Sequence, residues 1–284
     1  MGRLDQKVAI VTGASSGLGL AISTRFAAEG AKVVMASRNR ESLDAAAEKV
    51  AASGGEVITC LTDVTDEKEV ARLFRTVERQ YERLDLLVNN AGAFDGGPLE
   101  ELTLATWEHV MAVNLRGPFL CTRAAFKLMK PQNRGRIINI GSISSQRVRP
   151  KSAPYSTSKH GLWGLTQVTA LEGRDHGITC CCLNPGNFLT PRRSASGMVE
   201  DDEPMMSGED VAEVALTMAA LLLGCATATA PTALAPDAPV TIALAFSTSP
   251  AGAAPGCAIA WVAADGERAV TVGVTLSMLV RFDP

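Results

Sequence analysis

The sequence has little excess charge of either sign. Its 30 acidic and 27 basic residues leave a formal net charge of −3 at pH 7. Proteins that bind nucleic acid or an anionic membrane surface carry a concentrated basic patch or segment. Here acids and bases are interspersed along the first two-thirds of the chain. We therefore expect neither a nucleic-acid partner nor a membrane partner.

Metal-ligand spacing is missing as well. The seven cysteines are an odd number and lie scattered along the chain. Three of them, Cys180-Cys181-Cys182, are consecutive in an apolar segment, where neighbours on a strand point to opposite faces and cannot share an ion. We predict no metal site, and reduced cysteines indicate an intracellular, cytoplasmic protein.

No leader or membrane span is evident. The first strand begins at once, with Lys7-Val-Ala-Ile-Val-Thr12, which leaves no room for a signal or transit peptide. The apolar stretch Leu216–Ala226 is shorter than the roughly 20 residues that a membrane-spanning helix needs. We interpret it as part of a core helix.

What the chain does contain is a regular alternation of strands and helices. Apolar segments typical of buried strands are separated by amphipathic helical segments, which favours a parallel sheet with right-handed crossovers. The predicted strands are Val8–Val11, Lys32–Ser37, Val57–Leu61, Leu84–Val88, Arg136–Ile140 and Thr179–Leu183. We predict an α/β fold, a doubly wound parallel sheet (Rossmann fold) with helices on both faces.

A glycine-rich turn follows the first strand, in the segment Thr12-Gly-Ala-Ser-Ser-Gly-Leu-Gly19. Such a turn lets the backbone approach a pyrophosphate that binds at the N-terminus of the next helix. The alternative is a turn that serves only tight packing of helix against strand. The predicted cofactor-binding residues of this turn are Gly13, Ser15, Ser16, Gly17, Leu18 and Gly19.

The residues after the second strand favour NADP(H) over NAD(H). A free ribose 2′-hydroxyl usually meets an acidic residue about 20 residues after the glycines. This chain has Ser37-Arg38 there and no acid before Glu41. An arginine suits a 2′-phosphate because its planar fork donates two hydrogen bonds. The alternative is an ordinary basic loop at the start of a helix.

Further polar or small residues follow the third, fourth and sixth predicted strands. Asp63-Val64 comes where an adenine ring would lie beside the sheet edge. Asn90-Ala91-Gly92 allows backbone contact with a cofactor, or forms no more than a polar turn. Pro185-Gly186 follows the sixth strand, and Asn187–Met206 is a polar loop long enough to act as a lid.

The segment Tyr155-Ser-Thr-Ser-Lys159 places a phenol and an ammonium on one face of a helix. At ~4 Å and an effective dielectric of ~20, their attraction is on the order of 4 kcal/mol. That energy corresponds to a fall of roughly three units from the usual tyrosine pKa, into the range of general acid–base catalysis. The alternative is a surface tyrosine and lysine without a catalytic role.

Two more polar residues, Asn114 and Ser142, lie at a predicted helix break and just after a predicted strand. Asn114 lies where the helical region Thr103–Lys130 is predicted to break, next to Gly117-Pro118. Ser142 lies just beyond the carboxyl end of the fifth strand, the edge at which open α/β sheets bind ligands.

Together these motifs resemble the short-chain dehydrogenase/reductase family over roughly Gln6 to Leu222. The match consists of the glycine-rich turn, Asn89-Asn-Ala-Gly92, the four positions Asn114, Ser142, Tyr155 and Lys159, and Pro185-Gly186 with Thr190, all in the order of the family.

The resemblance implies a role for each matched residue. Tyr155 would exchange a proton with the substrate oxygen, which Ser142 would hold by a hydrogen bond. Lys159 would lower the tyrosine pKa and bind the nicotinamide ribose, and Asn114 would anchor a water in a proton relay. Asn90 would face the adenosine side and Thr190 the carboxamide.

The resemblance also implies an activity. We expect an NADP(H)-dependent oxidoreductase that interconverts a carbonyl and an alcohol on a small-molecule substrate, as a homodimer or homotetramer. One alternative is the reduction of 3-oxoacyl groups on a carrier, which Arg147, Arg149 and Lys151 would favour if they do not simply form a solvated loop. Another is a catalytically impaired cofactor-binding protein.

The second alternative arises from the C-terminus. We divide the chain into a Rossmann-type domain, residues 1–223, and an atypical tail, residues 224–284, which is rich in Ala, Thr and Pro and contains no lysine. We predict a loosely ordered linker over Cys225–Pro239 and a hairpin formed by Cys257–Ala263 and Ala269–Leu276 with an Asp265-Gly266 turn. A replaced C-terminus, from an altered reading frame or a retained intron, would leave the sheet without its last strand. Alternatively, Ala260–Gly266 is that strand, displaced by an insertion.

Overall fold

The structure is a computed structural model that describes residues 2–186 and 206–221, together with the backbone of three strands over residues 240–243, 257–262 and 270–277. All of the predicted loop Asn187–Met206 except Met206, including Thr190, and the predicted linker Cys225–Pro239 lie outside the described residues.

Six parallel strands form the sheet that the sequence predicts. They are β1 (Val8–Thr12), β2 (Lys32–Ser37), β3 (Val57–Leu61), β4 (Leu86–Asn89), β5 (Gly135–Ile140) and β6 (Ile178–Pro185). Their order is β3-β2-β1-β4-β5-β6, so the order reverses at β1, where β1 pairs with both β2 and β4. At such a reversal the loops leave the strands in opposite directions and open a crevice for a ligand.

The helices cover both faces of this sheet. They are α1 (Gly17–Ala28), α2 (Arg40–Ala52), α3 (Glu67–Tyr81), α4 (Leu104–Met111), α5 (Gly117–Met129), α6 (Ala153–Gly173) and α7 (Gly208–Leu221). Alternate residues of β1 enter opposite cores: Ala9 and Val11 pack with α1, α2 and α7, whereas Val8 and Ile10 pack with α3, α5 and α6. This alternation confirms the predicted doubly wound fold.

Local sequence signals set several helix starts. The side chains of Asn39, Asp66 and Thr103 accept hydrogen bonds from the first free N–H groups of α2, α3 and α4. The long helical region breaks as predicted, because a π-helical segment, Ala112–Arg116, separates α4 from α5. A π-helical segment inside a helix turns one side chain away from its regular position, and here it carries Asn114.

Three further strands extend the sheet. They are β7 (Val240–Ala243), β8 (Cys257–Val262) and β9 (Val270–Ser277). β8 and β9 pair antiparallel, as the predicted hairpin requires, although its turn lies outside the described residues. β8 also runs parallel to β6, with Cys182 opposite Ile259 and Pro185 opposite Val262. The expectation of a sheet without its last strand is therefore wrong, since a strand near Ala260 occupies that edge. The proposed origin of the tail by a changed reading frame stays a prediction.

None of the helices among residues 2–186 and 206–221 has the length and apolarity to cross a membrane. Within the same residues, no cluster of His, Cys, Asp and Glu has a composition and spacing that could hold a metal ion.

Candidate active site

The glycine-rich turn connects β1 to α1 and has little room for side chains. Gly13 and Gly17 have positive φ angles of 66° and 53°, which favour glycine. A Cβ atom on Gly19 would lie 2.2 Å from the carbonyl oxygen of Gly13, whereas one on Gly17 would meet nothing within 4 Å. The turn is therefore tightly packed towards the protein and open in front of the N-terminus of α1.

Thr12 joins this turn to the end of β4. Its hydroxyl donates to the carbonyl oxygen of Val88 and accepts the N–H groups of Asn90, at 3.0 Å, and Ala91, at 3.1 Å. The Asn90 amide in turn donates to the carbonyl oxygens of Thr12 and Gly13. Asn90 thus uses its side-chain donors on the protein backbone and holds the turn in place.

The end of β2 lies beside the same turn. The hydroxyl groups of Ser15 and Ser37 are 3.0 Å apart, so the structure brings these two predicted residues together. Arg38 is exposed directly after them. Among the described residues, its guanidinium makes no ion pair or hydrogen bond with another side chain.

Four other predicted cofactor-binding residues have side chains that are buried, bonded within the protein or uncapped. Leu18 is buried in the core beneath α1, and Val64 is buried against Gly117. One carboxylate oxygen of Asp63 accepts the backbone and hydroxyl groups of Thr65. The side chain of Ser16, at the start of α1, makes no capping hydrogen bond.

Tyr155 and Lys159 lie on α6, facing the end of β5. The Lys159 ammonium is buried, donates to the carbonyl oxygen of Ile140 at 2.7 Å, and lies 5.6 Å from the centre of the Tyr155 ring. The Phe94 ring packs edge-on against Tyr155, with 4.9 Å between ring centres. The phenol therefore has both an aromatic ring and a buried cation as neighbours.

Asn114 is buried and holds the loop after β4 against α6. Its side-chain oxygen accepts the N–H of Ala93, and its amide donates to the carbonyl oxygen of Ala93 and to the hydroxyl of Ser158. Ser158 donates in turn to the carbonyl oxygen of Tyr155. Asn114 thus links the π-helical segment, through Ser158, to the backbone of Tyr155.

Ser142 begins a short 3-10 helix, Ile143–Ser145, directly after β5. Its hydroxyl oxygen accepts the N–H of Ser144 at 3.1 Å. The hydroxyl keeps its own proton for donation, because the bond from Ser144 uses only an oxygen lone pair.

Two buried thiols, Cys181 and Cys182, lie next to the site. Burial raises the pKa of Cys182 to about 12 and that of Cys181 to about 11. The thiolate, rather than the thiol, is the reactive form. Cysteine chemistry is therefore unfavourable at these two positions near neutral pH.

The structure brings most of the predicted residues to one edge of the sheet. Pro185 ends β6 there and Gly186 follows it. Sequence reasoning did not assign Thr12, Phe94, Ser158 or Asn184, whose roles depend on contacts between distant segments. Local signals existed for Thr12, which begins the glycine-rich segment, for Ser158, which lies between Tyr155 and Lys159, and for Asn184, which precedes Pro185-Gly186.

A family model described as short chain dehydrogenase matches residues 7–200. The chain belongs to the short-chain dehydrogenase family. It is an oxidoreductase of alcohol and carbonyl groups that uses a nicotinamide cofactor, NAD or NADP, and a small-molecule substrate.

Relatives within this family carry different names. The 3-oxoacyl-[acyl-carrier-protein] reductase of Synechocystis is 40% identical over 191 residues, which are 67% of this chain and 77% of that protein. The 3beta-hydroxysteroid dehydrogenase of Mediterraneibacter gnavus is 39% identical over 219 residues, 75% of this chain and 78% of that one. The crystal structure of a putative short-chain dehydrogenase/reductase from Burkholderia xenovorans matches with a TM-score of 0.73 and 35% identity, over 77% of this chain and 91% of that chain.

The site fits a dinucleotide. The open side of the turn at Gly17 and the first N–H groups of α1 can hold a pyrophosphate. Ser37 and Arg38 lie at and just after the end of β2, and the Ser15 hydroxyl lies beside Ser37, so these side chains would be the ones near the ribose of a bound dinucleotide.

Proposed function

We propose that this protein transfers a hydride between NADP(H) and a carbonyl or alcohol substrate, with Tyr155 as the general acid and base. The observation that carries the proposal is the arrangement of Tyr155, Lys159 and Ser142. Lys159 is bound to the carbonyl oxygen of Ile140, two residues before Ser142, and lies under the Tyr155 ring. These contacts support a site in which a donor, an acid and a cation act on one substrate at this edge of the sheet.

The four residues Asn114, Ser142, Tyr155 and Lys159 have different roles in this reaction. A bound nicotinamide cofactor would supply or accept the hydride. Ser142 donates a hydrogen bond to the substrate oxygen, and Tyr155 gives that oxygen a proton in reduction and removes one in oxidation. The Lys159 ammonium stabilises negative charge on the phenolic oxygen and would hold the nicotinamide ribose of a bound cofactor. Asn114 holds the backbone that carries Tyr155 and anchors a water for proton exchange with solvent.

Binding of NADP(H) rather than NAD(H) is supported by Arg38. Its exposed guanidinium follows Ser37, which stands where a cofactor with a free 2′-hydroxyl would meet an acid. A 2′-phosphate would gain a charge-assisted, bidentate contact there.

One observation favours an anionic or carrier-bound substrate such as a 3-oxoacyl group. A pocket of about 390 Å³ lies beside the N-terminal turns of α6, and Ser156, which follows Tyr155 in the chain, is one of its lining residues. Arg149, Lys151 and His160 line it together with the exposed apolar side chains of Leu99 and Val148, and no acidic residue does. Cations beside apolar side chains suit a substrate that carries both an anionic group and an acyl chain.

We further propose that the protein is cytoplasmic and forms a homodimer or homotetramer. The apolar side chains of Phe119 on α5 and of Val168 and Leu171 on α6 are 45%, 51% and 44% exposed. Large apolar groups on neighbouring helices support contact with a second copy. An impaired, cofactor-binding protein is the alternative to an enzyme, but the complete set of Asn114, Ser142, Tyr155 and Lys159 supports turnover.

The test is a panel of carbonyl and alcohol substrates, with and without a carboxylate or a carrier, followed by nicotinamide absorbance. We expect turnover with NADPH or NADP⁺, and a Tyr155→Phe variant should lose most of it, by about 100-fold or more. Cofactor affinity should stay nearly unchanged, because only the phenolic oxygen is removed. Near-normal turnover by Tyr155→Phe would disprove the proposed acid.

A further inference from the structure

Asn184 lies at the end of β6, between Leu183 and Pro185, and is completely buried. Its side-chain oxygen accepts the backbone N–H of Ser142 at 3.0 Å. This contact crosses from β6 to the residue that follows β5, where Ser142 begins its short 3-10 helix.

The packing around this amide leaves little freedom. The Cys182 thiol also approaches the Asn184 oxygen, at 3.5 Å, and the N–H of Gly141 donates to the carbonyl oxygen of Leu183 at 2.7 Å. A Cβ atom on Gly141 would lie 2.1 Å from the Asn184 oxygen. The backbone just before Ser142 therefore lies directly on the Asn184 amide.

The Ser142 hydroxyl can be held in one orientation only if the Ser142 backbone is itself held in place. Its oxygen accepts the N–H of Ser144, and its N–H has a second, longer acceptor in the hydroxyl of Ser145, at 3.3 Å. Both of those partners belong to the same short segment and move with it. Among the described residues, Asn184 is the hydrogen-bond partner of Ser142 that lies outside this segment, on β6.

We propose that Asn184 is a positioning residue that sets the place of Ser142 through the Ser142 backbone N–H. The inference rests on the proposed function of Ser142 as the donor to the substrate oxygen. A donor displaced by a fraction of an ångström loses much of its contribution to the reaction.

The activity test is a double-mutant cycle of Asn184→Ala and Ser142→Ala in the full chain. We expect Asn184→Ala to lower kcat about tenfold and to leave the Kd for NADPH within about twofold. In the Ser142→Ala background, Asn184→Ala should lower kcat less than about twofold, because the hydroxyl that Asn184 positions is already gone. A residue with a merely structural role would lower kcat by the same factor in both backgrounds.

The matched control is Asn139→Ala. Asn139 is an equally buried amide on β5, and it bonds to Asn89 and Thr166 rather than to Ser142. We expect Asn139→Ala to lower the unfolding temperature without the coupling to Ser142→Ala. If Asn184→Ala does not fold, Asn184→Leu fills the volume while removing both hydrogen-bonding groups, and the same cycle applies. The inference would be overturned if Asn184→Ala lowered kcat equally in the parent and in the Ser142→Ala background. It would also be overturned if Asn184→Ala lowered kcat no more than Asn139→Ala does.

A second readout does not depend on turnover. Amide hydrogen exchange at Ser142, measured by NMR, should accelerate at least about tenfold in Asn184→Ala and stay unchanged in Asn139→Ala. Unchanged exchange in Asn184→Ala would show that Asn184 does not hold Ser142 and would overturn the inference even if the enzyme is active. A parent chain without activity on any substrate would instead overturn the proposed function, while the exchange rate still decides whether Asn184 holds Ser142.

Discussion

Asn90, Asn114 and Ser142 show how hydrogen bonds within the protein decide what a side chain can still do. The amides of Asn90 and Asn114 donate to backbone carbonyl oxygens or to Ser158, so they shape the site rather than bind substrate. The Ser142 hydroxyl accepts one bond and keeps its proton. Among these three residues, the group suited to binding a substrate oxygen is therefore Ser142.

Arg38 carries the cofactor prediction. We expect the unmodified protein to bind NADPH more tightly than NADH, and Arg38→Asp to reverse that order, because a carboxylate repels a 2′-phosphate and accepts from a 2′-hydroxyl. The change in the ratio of the two Kd values should be about 100-fold, measured by fluorescence titration.

Arg79→Asp is the control for the change in net charge. Arg79 is an exposed residue in the last turn of α3, so its replacement should leave the ratio unchanged. An unmodified protein that prefers NADH would refute the assignment of Arg38.

Among the elements, the broken helix between Leu104 and Met129 shows a local irregularity with a structural purpose. In the π-helical segment the N–H of Gly117 donates to the carbonyl oxygen of Ala112, five residues earlier. A Cβ atom on Gly117 would lie 2.8 Å from the Val64 side chain, so the helix can pass close to Val64 only with glycine there. The segment lets one long helical region supply both Asn114 and the core residues of α5.

The hairpin of β8 and β9 determines whether the tail is part of the fold. β8 pairs with the end of β6, so removing residues 224–284 would leave the backbone groups of Cys182–Pro185 without that partner. We expect a chain that ends at residue 223 to have a lower unfolding temperature and to aggregate, because an unpaired strand edge is a template for association.

The comparison is with the full chain in the same buffer, by thermal denaturation and by soluble yield. The proposed division of the chain treats residues 1–223 and 224–284 as independent units. It gains support if the shortened chain has the same unfolding temperature as the full chain. That result would also show that β8 contributes nothing to the stability of β6.

At the scale of the whole molecule, the exposed apolar side chains of α5 and α6 predict an oligomer. We expect light scattering to give the mass of a dimer or tetramer, and Val168→Glu to shift it to a smaller species, because a charge would lie in the contact between copies. Ala51→Glu is the control, since Ala51 is exposed on α2, which covers the opposite face of the sheet from α5 and α6. An unmodified chain with a monomer mass would contradict the prediction.

Much of this protein follows from its sequence alone, because the relevant signals are local. The strict alternation of apolar strands and amphipathic helices determines a parallel, doubly wound sheet. The carboxyl ends of its strands lie at one edge, which is why Gly13, Asn90 and Ser142 could be expected near each other. A spacing of four residues on a helix was enough to pair Tyr155 with Lys159.

Only the tertiary structure decided the contacts between segments far apart in the chain. The place of β8 next to β6 depends on a pairing across more than 70 residues, which no local pattern specifies. The same is true of Thr12, which joins β1 to the end of β4, and of Asn184, which reaches Ser142. A buried polar group takes its role from the partner that satisfies it, and that partner is known only when the chain is folded.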